Sequence, residues 1–256
     1  MQRLLSSKNW ASKRLLASMG PSPMWSVRRS MRLRDVHLPH GYDGVPAQRG
    51  QELAKAVQEL PGPIYIHCHH GKHRSPAAAA VACIAAGLLE PAGAEAILKT
   101  AGTSENYRGL FQSAREARPL DAEVLKSLES DFPETAKIPP LAEAMVALEH
   151  THDHLKQIAA NQWKPLLKHP DLEPAHEALL LREHFTEMLR LELVAKKPAD
   201  FRRYSTESET AAEELEKELR ESAALEKINA SFAKINKACV DCHKQFRDVP
   251  LSEKGE

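Results

Sequence analysis

The second half of the chain repeats apolar residues at alternating steps of three and four positions. The repeat is carried first by Leu141, Met145, Leu148, His152, Leu155 and Ala159, and later by Leu225, Ile228, Phe232, Ile235, Cys239, Cys242 and Phe246. Such spacing places apolar side chains on one stripe of an α-helix. Two further helical patterns cover about 175–195 and 207–222. Four amphipathic helices with short connections predict an antiparallel four-helix bundle over residues 141–250.

Residues 35–130 follow another pattern, in which a short strand stands between helices. PIYIHC, residues 63–68, is rich in β-branched and aromatic residues and follows a Pro-Gly-Pro turn, so it predicts a buried strand. Helical patterns precede it from Pro46 and follow it from Arg74. The order helix, strand, loop, helix predicts an α/β domain, and the proline-rich segment 131–140 is interpreted as its linker to the bundle.

Composition argues against nucleic-acid binding and against a membrane-spanning segment, and it leaves several interpretations of residues 1–34. The formal net charge is zero, which gives no sign of a nucleic-acid partner, and no apolar run is long enough to span a membrane. Residues 1–34 hold eight Lys or Arg and no acid, without the unbroken apolar core of a signal peptide. They are interpreted as a disordered leader, an atypical targeting sequence or the product of a misread start.

The nine residues HCHHGKHRS, from His67 to Ser75, have the spacing of an anion-binding loop. A loop between a strand and a helix N-terminus points successive backbone N–H groups inward, where they bind a tetrahedral oxyanion. The same groups stabilise a thiolate at Cys68, which predicts a lowered pKa and a nucleophilic sulfur. Arg74 can contact two phosphate oxygens, and Gly71 permits the positive φ that the turn needs.

This loop resembles the signature of the protein tyrosine phosphatases, and of the small dual-specificity phosphatases most. The resemblance implies an enzyme that hydrolyses phosphate monoesters through a phosphocysteine. It makes Cys68 the nucleophile, Arg74 the group that holds the transition state, and Ser75 the donor to the departing sulfur. It also implies that His67 orients the loop and lowers the pKa of the thiol.

A phosphatase of this kind also needs a general acid for the leaving alcohol. Asp43, in the segment YDGVP, lies after a strand-like run and before a helix that starts with proline, which is where the family places its acid. Asp35 is the rival, but it precedes the apparent strand. Asp43 also fits an ordinary Asp-Gly turn.

Four polar side chains of the loop, His69, His70, Lys72 and His73, are expected to point outward as a basic rim. Together with Gly71 and Arg74 they form the predicted phosphate-binding segment. The rim would favour polyanionic substrates, although a merely solvated rim fits equally well. A metal cluster that includes His67 is the weaker interpretation.

A second cysteine motif, CVDCH, ends the last predicted helix. Cys-x-x-Cys-His is the attachment motif of haem c, in which two thiols bind the porphyrin and the imidazole ligates the iron. A redox CxxC or half of a zinc site would share the pentapeptide. No second CxxC exists for zinc, and no strand precedes the motif as in thioredoxin. Cys239 and Cys242 continue the apolar seam, so the haem is expected to enter the bundle.

A haem motif on the last helix of a four-helix bundle resembles cytochrome c-prime and its low-spin relatives. The resemblance implies covalent haem c on Cys239 and Cys242, with His243 as the proximal iron ligand and Arg247 near a propionate. Met145, on the first helix of the bundle, is the expected sixth ligand. Its alternatives are a five-coordinate iron beside a packing methionine, or His152 as the ligand. His150 and His154 are expected to face solvent.

The leading hypothesis is a phosphatase joined to a c-type cytochrome that controls the oxidation state of Cys68. The alternative is a haem c protein for electron transfer or gas binding, whose first half only binds phosphorylated ligands. A structural helical protein with zinc at CxxCH is the third. Expected partners are a phosphorylated protein or a small polyanionic phosphoester, a redox protein, and a second copy of the chain. Haem c attachment predicts a periplasmic or otherwise exported location.

Overall fold

The computed structural model describes residues 14–17 and 34–254. The chain divides into two compact units, one formed by Met1–Lys137 with Arg247–Glu256, the other by Ile138–Phe246. The prediction extended the bundle to residue 250, whereas the segment from Arg247 onward packs with the first unit. This segment contacts mainly polar side chains of the first unit, and such contacts cannot be predicted from the spacing of apolar residues.

The first unit contains a three-stranded parallel sheet among its described residues. The strands are β1 (Arg14–Ala17), β2 (Arg34–His37) and β3 (Ile64–His67), in the order β2-β1-β3. Strand β1 lies within residues 1–34, the segment that the sequence left as a leader or a misread start, and it pairs with a neighbour on both sides. Four residues carry too little periodicity to predict a strand, and pairing with two neighbours stabilises it. The rest of that segment, 1–13 and 18–33, lies outside the described residues.

Strand β3 lies at an edge of this sheet. It was predicted as a buried strand, but Tyr65 is 60% exposed and the other three residues are only partly buried. In the described sheet β3 pairs with β1 alone, which leaves one side without a neighbour. Aromatic and β-branched residues predict a strand, but they do not predict its position in the sheet.

Five helices accompany the sheet in the described part of the first unit. They are α1 (Ala47–Glu59), α2 (Arg74–Ala85), α3 (Ala94–Thr100), α4 (Arg108–Glu116) and α5 (Ala122–Ser127). Helix α2 is buried along most of its length because its alanines let neighbouring elements approach closely, and this burial fixes the loop before it. The short α5 was not predicted. It begins where the Asp121 carboxylate accepts a hydrogen bond from the N–H of Glu123.

The second unit is built from helices that are joined by loops. It contains α6 (Pro140–Ala160), α7 (Pro174–Arg190), the short α8 (Glu192–Ala195), α9 (Ala199–Arg220) and α10 (Leu225–Cys242), and a π-helix (His243–Arg247) continues α10. The predicted helical bundle is confirmed. Helix α9 begins earlier than predicted because Ser205 and Ser208 donate their hydroxyls to carbonyls one turn back, where they fit inside a helix. The apolar seams of α6 and α10 meet in one core cluster.

Candidate functional sites

The loop from Cys68 to His73 connects β3 to the N-terminus of α2 in the first unit. Cys68 is 8% exposed, and its sulfur lies 3.3 Å from the hydroxyl oxygen of Ser75 on the first turn of the helix. Gly71 has a φ of +71°, as the sequence predicted, and nothing lies near the position of a side chain there. The strand end and the helix start thus bring the thiol and the first-turn hydroxyl together.

The pKa of the Cys68 thiol is lowered from its ordinary value. Burial acts against ionisation, but the Ser75 hydroxyl and the backbone N–H groups of Ser75, His73 and Gly71 outweigh it. These N–H groups are the donors that the sequence predicted for an oxyanion, and they converge on the sulfur. The loop can therefore hold a thiolate and place an anion above it.

Arg74 lies beside an aromatic ring at the edge of the loop. Its guanidinium carbon is 4.6 Å from the centre of the Tyr42 ring, and its Nε atom is buried without a hydrogen-bond partner. His40, which the sequence did not single out, is buried close by. Burial lowers the pKa of His40 to about 4, although its hydrogen bond to the Gly41 carbonyl acts in the opposite direction. His40 is therefore neutral near pH 7.

The predicted basic rim is only partly present. His69, His70 and Lys72 are exposed, and the rings of the two histidines meet edge to face at 4.4 Å. His73 is turned inward instead. Its Nδ1 accepts a hydrogen bond from the N–H of Ser104 at 3.4 Å, because the helix start rotates this side chain toward the neighbouring loop.

His67 stacks on Tyr65, with ring centres 5.8 Å apart. Its predicted effect on the thiol stays a prediction. Within residues 34–254, no group of three or more His, Cys, Asp or Glu side chains is arranged to hold a metal ion.

Asp43 lies in the loop between β2 and α1, where its carboxylate contacts Lys254. The Oδ2 atom is 2.7 Å from the Nζ atom of Lys254, and the Asp43 carbonyl accepts a hydrogen bond from the N–H of Leu251 at 2.9 Å. Helix α4 passes so close that a Cβ atom on Gly109 would lie 1.8 Å from the Asp43 carbonyl oxygen. The rival Asp35 lies within β2. The role of Asp43 as an acid stays a prediction.

The segment after the bundle, residues 247–254, is the part of this site that the sequence did not predict. Besides its two contacts with Asp43, it places Glu253 against Arg108, with both N–O distances at 2.9 Å. The guanidinium of Arg247 lies 4.8 Å from the Tyr42 ring and 5.4 Å from that of Tyr107. No pattern could have revealed these contacts, because each joins residues more than 130 positions apart.

The CxxCH motif lies at the C-terminal end of α10 in the second unit. Cys242 is buried and Cys239 half-buried, and both pack in the apolar cluster that also contains Met145 and Phe246. His243 opens the π-helix directly after the second cysteine. Two thiols that pack in an apolar cluster at the end of a helix, followed directly by an imidazole, are the donor set that haem c requires. The residues present therefore fit this group.

Two hydrogen bonds fix the direction of α6 relative to α10. His152 on α6 donates its Nε2–H to Oδ1 of Asn236 at 2.6 Å, and Trp163, just after α6, donates to Oδ1 of Asn229 at 2.8 Å. The residue numbers increase from His152 to Trp163, whereas those of their partners on α10 decrease from Asn236 to Asn229. The two helices are therefore antiparallel.

This direction places Met145 at the level of the haem motif. Met145 precedes His152 by seven residues, and His243 follows Asn236 by seven, so both lie about 10 Å from that hydrogen bond toward the same end of the bundle. Burial lowers the pKa of His152, against the effect of its bond to Asn236. His152 is thus engaged away from the motif, and Met145 remains the expected sixth ligand.

The two other histidines of α6 differ from each other. His150 is exposed, whereas His154 is only partly so. The Nδ1–H of His154 donates to the buried carboxylate of Glu177 on α7 at 2.9 Å. The expectation that His154 faces solvent holds in part, since its side chain is 39% exposed while it also supplies the donor that the buried Glu177 carboxylate requires.

Arg247 was expected near a haem propionate. Its guanidinium contacts the Asp248 carboxylate at 2.7 and 3.3 Å and lies over Tyr42 and Tyr107 in the first unit. The predicted propionate contact remains untested.

The family model of Cytochrome C' matches residues 190–247. The matched segment contains Cys239, Cys242 and His243, so the match supports the predicted haem c and the helical bundle that carries it. It gives no support to a phosphatase domain. The comparisons with curated proteins and with solved structures gave no match.

Proposed function

We propose that this chain is a haem c protein that transfers electrons or binds a small gas. The observation that carries the proposal is the Cys-x-x-Cys-His motif at the end of α10, beside the apolar core of the bundle. The family match over the same segment supports it. When bound, haem c supplies an iron atom that exchanges single electrons or binds a diatomic gas.

Each residue of this site has a separate task in the proposal. The sulfurs of Cys239 and Cys242 hold the group covalently, and the imidazole of His243 ligates the iron. Met145 lies on α6 at the level of the motif and packs against the same apolar cluster, where its thioether either ligates the iron or packs beside it. The apolar side chains of the cluster exclude water, which tunes the reduction potential.

The two haem functions differ in one spectroscopic test. Carbon monoxide is added to the reduced, haem-loaded chain, and the Soret absorption is recorded. An unchanged spectrum is expected if a protein ligand occupies the sixth position, as electron transfer favours. A shifted spectrum would assign gas binding. A chain without haem absorption would contradict both functions.

We infer a second activity for the first unit, the hydrolysis of phosphate monoesters. The specific observation in its favour is the Cys68 thiol, whose pKa is lowered and whose sulfur lies 3.3 Å from Ser75. The thiolate attacks phosphorus, the ester bond to the alcohol breaks, and Asp43 gives the leaving oxygen a proton. Water then attacks the phosphocysteine and gives a proton to the Asp43 carboxylate, and the sulfur leaves as a thiolate beside the Ser75 hydroxyl.

Turnover of p-nitrophenyl phosphate by the haem-loaded chain tests this second activity. Activity that disappears in Cys68→Ser would support it. An inactive wild type that still binds phosphate through Arg74 would instead make the loop a binding module for phosphorylated ligands. The same assay in the ferrous and the ferric state tests the redox coupling of the two sites, and equal rates with equal peroxide sensitivity would contradict it.

In this proposal the location of the protein follows from the haem, and its partners follow from the haem and from the phosphate loop. Attachment of haem c takes place outside the cytoplasm, so we place the protein in a periplasm or another exported compartment. In the described part of the chain, no helix has the length and apolarity needed to cross a membrane. A redox protein, a phosphorylated protein or a small phosphoester, and a second copy of the chain remain the proposed partners.

A further inference from the structure

The segment after the haem motif brings a second arginine to the phosphate loop. Arg247 belongs to the same compact unit as Cys68 and Arg74, although more than 170 positions separate it from them. The segment is held there by the contact between Glu253 and Arg108 and by the hydrogen bond from the Leu251 N–H to the Asp43 carbonyl. Arg247 is therefore placed by several contacts rather than by its own side chain alone.

Arg247 and Arg74 share one aromatic neighbour. Their guanidinium carbons lie 4.8 and 4.6 Å from the centre of the Tyr42 ring. The two guanidinium carbons therefore lie no farther apart than the sum of these two values. His73 lies within electrostatic reach of both, since each of the two arginines acts to lower its pKa after the larger effect of burial.

The charges around this pair are mostly positive. Exposed His70 and Lys72 lie on the rim of the loop, and they too act on His73. Two acidic groups oppose them. Asp248 contacts Arg247 at 2.7 and 3.3 Å, and the Asp43 carboxylate is paired with Lys254. The guanidinium groups of Arg74 and Arg247 therefore lie near each other, and the charge of Arg247 is balanced by Asp248. An anion with two charged groups can contact both guanidinium groups if it displaces the Asp248 carboxylate.

We propose that Arg247 is a specificity-determining residue of the phosphate loop, which selects ligands that carry two adjacent phosphoryl groups. One phosphoryl group lies above Cys68 and contacts Arg74. The second replaces the Asp248 carboxylate on the guanidinium of Arg247, which is a bidentate donor for phosphate oxygens. The proposal rests on the anion-binding function of the loop, but it does not require turnover.

Calorimetric titration of the full-length, haem-loaded chain with Cys68→Ser tests the proposal without hydrolysis. The probes are pyrophosphate and inorganic phosphate. Pyrophosphate is expected to bind about tenfold more tightly than phosphate, as one additional charge-assisted contact allows. Arg247→Gln should abolish this difference and leave phosphate affinity unchanged. Asp248→Asn should increase it, because it removes the competing carboxylate.

Two controls separate the possible failures. Arg108→Gln removes only one of the contacts that place the segment, while the Leu251 and Lys254 contacts with Asp43 and the charge of Arg247 remain, so it should preserve most of the preference for pyrophosphate. An equal loss in Arg108→Gln would overturn the assignment to Arg247. Phosphate binding that depends on Arg74, with no preference for pyrophosphate, would overturn this inference alone. Phosphate binding that is absent, or unaffected by Arg74→Ala, would overturn the proposed function of the loop as well.

Discussion

The Nζ atom of Lys254 lies 2.7 Å from Oδ2 of Asp43, across 211 positions of sequence. The Asp43 carbonyl also accepts the N–H of Leu251, so the end of the chain contacts this loop through both side chain and backbone. Both partners are partly exposed, which keeps the ion pair weak and exchangeable. The Asp43 carboxylate must therefore release Lys254 before it can act on a substrate.

Lys254→Met should raise the hydrolysis rate of aryl phosphates with poor leaving groups. A carboxylate paired with an ammonium group has to leave that contact and take up a proton before it can protonate the leaving alcohol. Since an exposed pair is worth at most about 1 kcal/mol, the expected increase is about fivefold or less. The measurement compares kcat for phenyl phosphate and p-nitrophenyl phosphate. Lys254→Arg keeps the pair and should resemble the wild type, whereas a decrease in Lys254→Met would show that the contact supports the acid.

Gly109→Ala should displace the loop that carries Asp43. A Cβ atom at this position would lie 1.8 Å from the Asp43 carbonyl oxygen, and a backbone atom cannot move away by rotating a side chain. We expect a loss of about 1–3 kcal/mol in the free energy of unfolding, together with slower turnover. Gly93→Ala is the matched control, because its new methyl group would meet the flexible side chain of Leu89. Equal effects of the two variants would contradict the close approach.

His40 should make the first unit less stable as the pH falls from 6.5 toward 4. Its pKa is about 4 in the folded chain and 6.5 when unfolded, so only the unfolded chain binds the proton in this range. The expected loss at pH 5 is about 2 kcal/mol relative to pH 7. Urea unfolding followed by circular dichroism measures it. His40→Asn keeps a donor for the Gly41 carbonyl and should reduce the pH dependence by that amount, and an unchanged slope would refute this origin.

Met145→Leu should change the coordination of the haem iron without loss of the covalent group. The antiparallel direction of α6 and α10 places Met145 level with His243, while His152 is bonded to Asn236. Replacing the thioether is expected to convert a low-spin absorption spectrum to a high-spin one. Met188→Leu is the control, because that methionine is 1% exposed inside the same bundle. Identical spectra for both variants would mean that Met145 only packs.

The local chemistry of both sites could be predicted from neighbouring residues. Cys68, Gly71 and Ser75 lie within one short segment, so their spacing in the sequence determines the conformation of the loop. The seam of α10 likewise places Cys239 and Cys242 on the core side, because a helix repeats at a fixed period. In each case the interacting groups are close in sequence, and the periodicity of the element relates them.

The contacts that join distant parts of the chain could not be predicted. Strand β1 is four residues long and is stabilised by β2 and β3 rather than by its own composition. Arg247 follows the haem motif closely, which suggested a propionate, yet its ring neighbours are Tyr42 and Tyr107. His40 carries no motif at all. These features depend on tertiary packing, which a single sequence does not encode as a pattern.

Covalent attachment of haem is the most direct test of the central claim, that the second unit is a haem c bundle. The full chain is expressed with a haem-attachment system, and its intact mass and absorption spectrum are measured beside those of Cys239→Ser with Cys242→Ser. The account predicts a mass increase of one haem that survives denaturation, with a Soret band, and the loss of both in the double variant. A wild-type chain without the added mass, or one that binds zinc through the same cysteines, would contradict it.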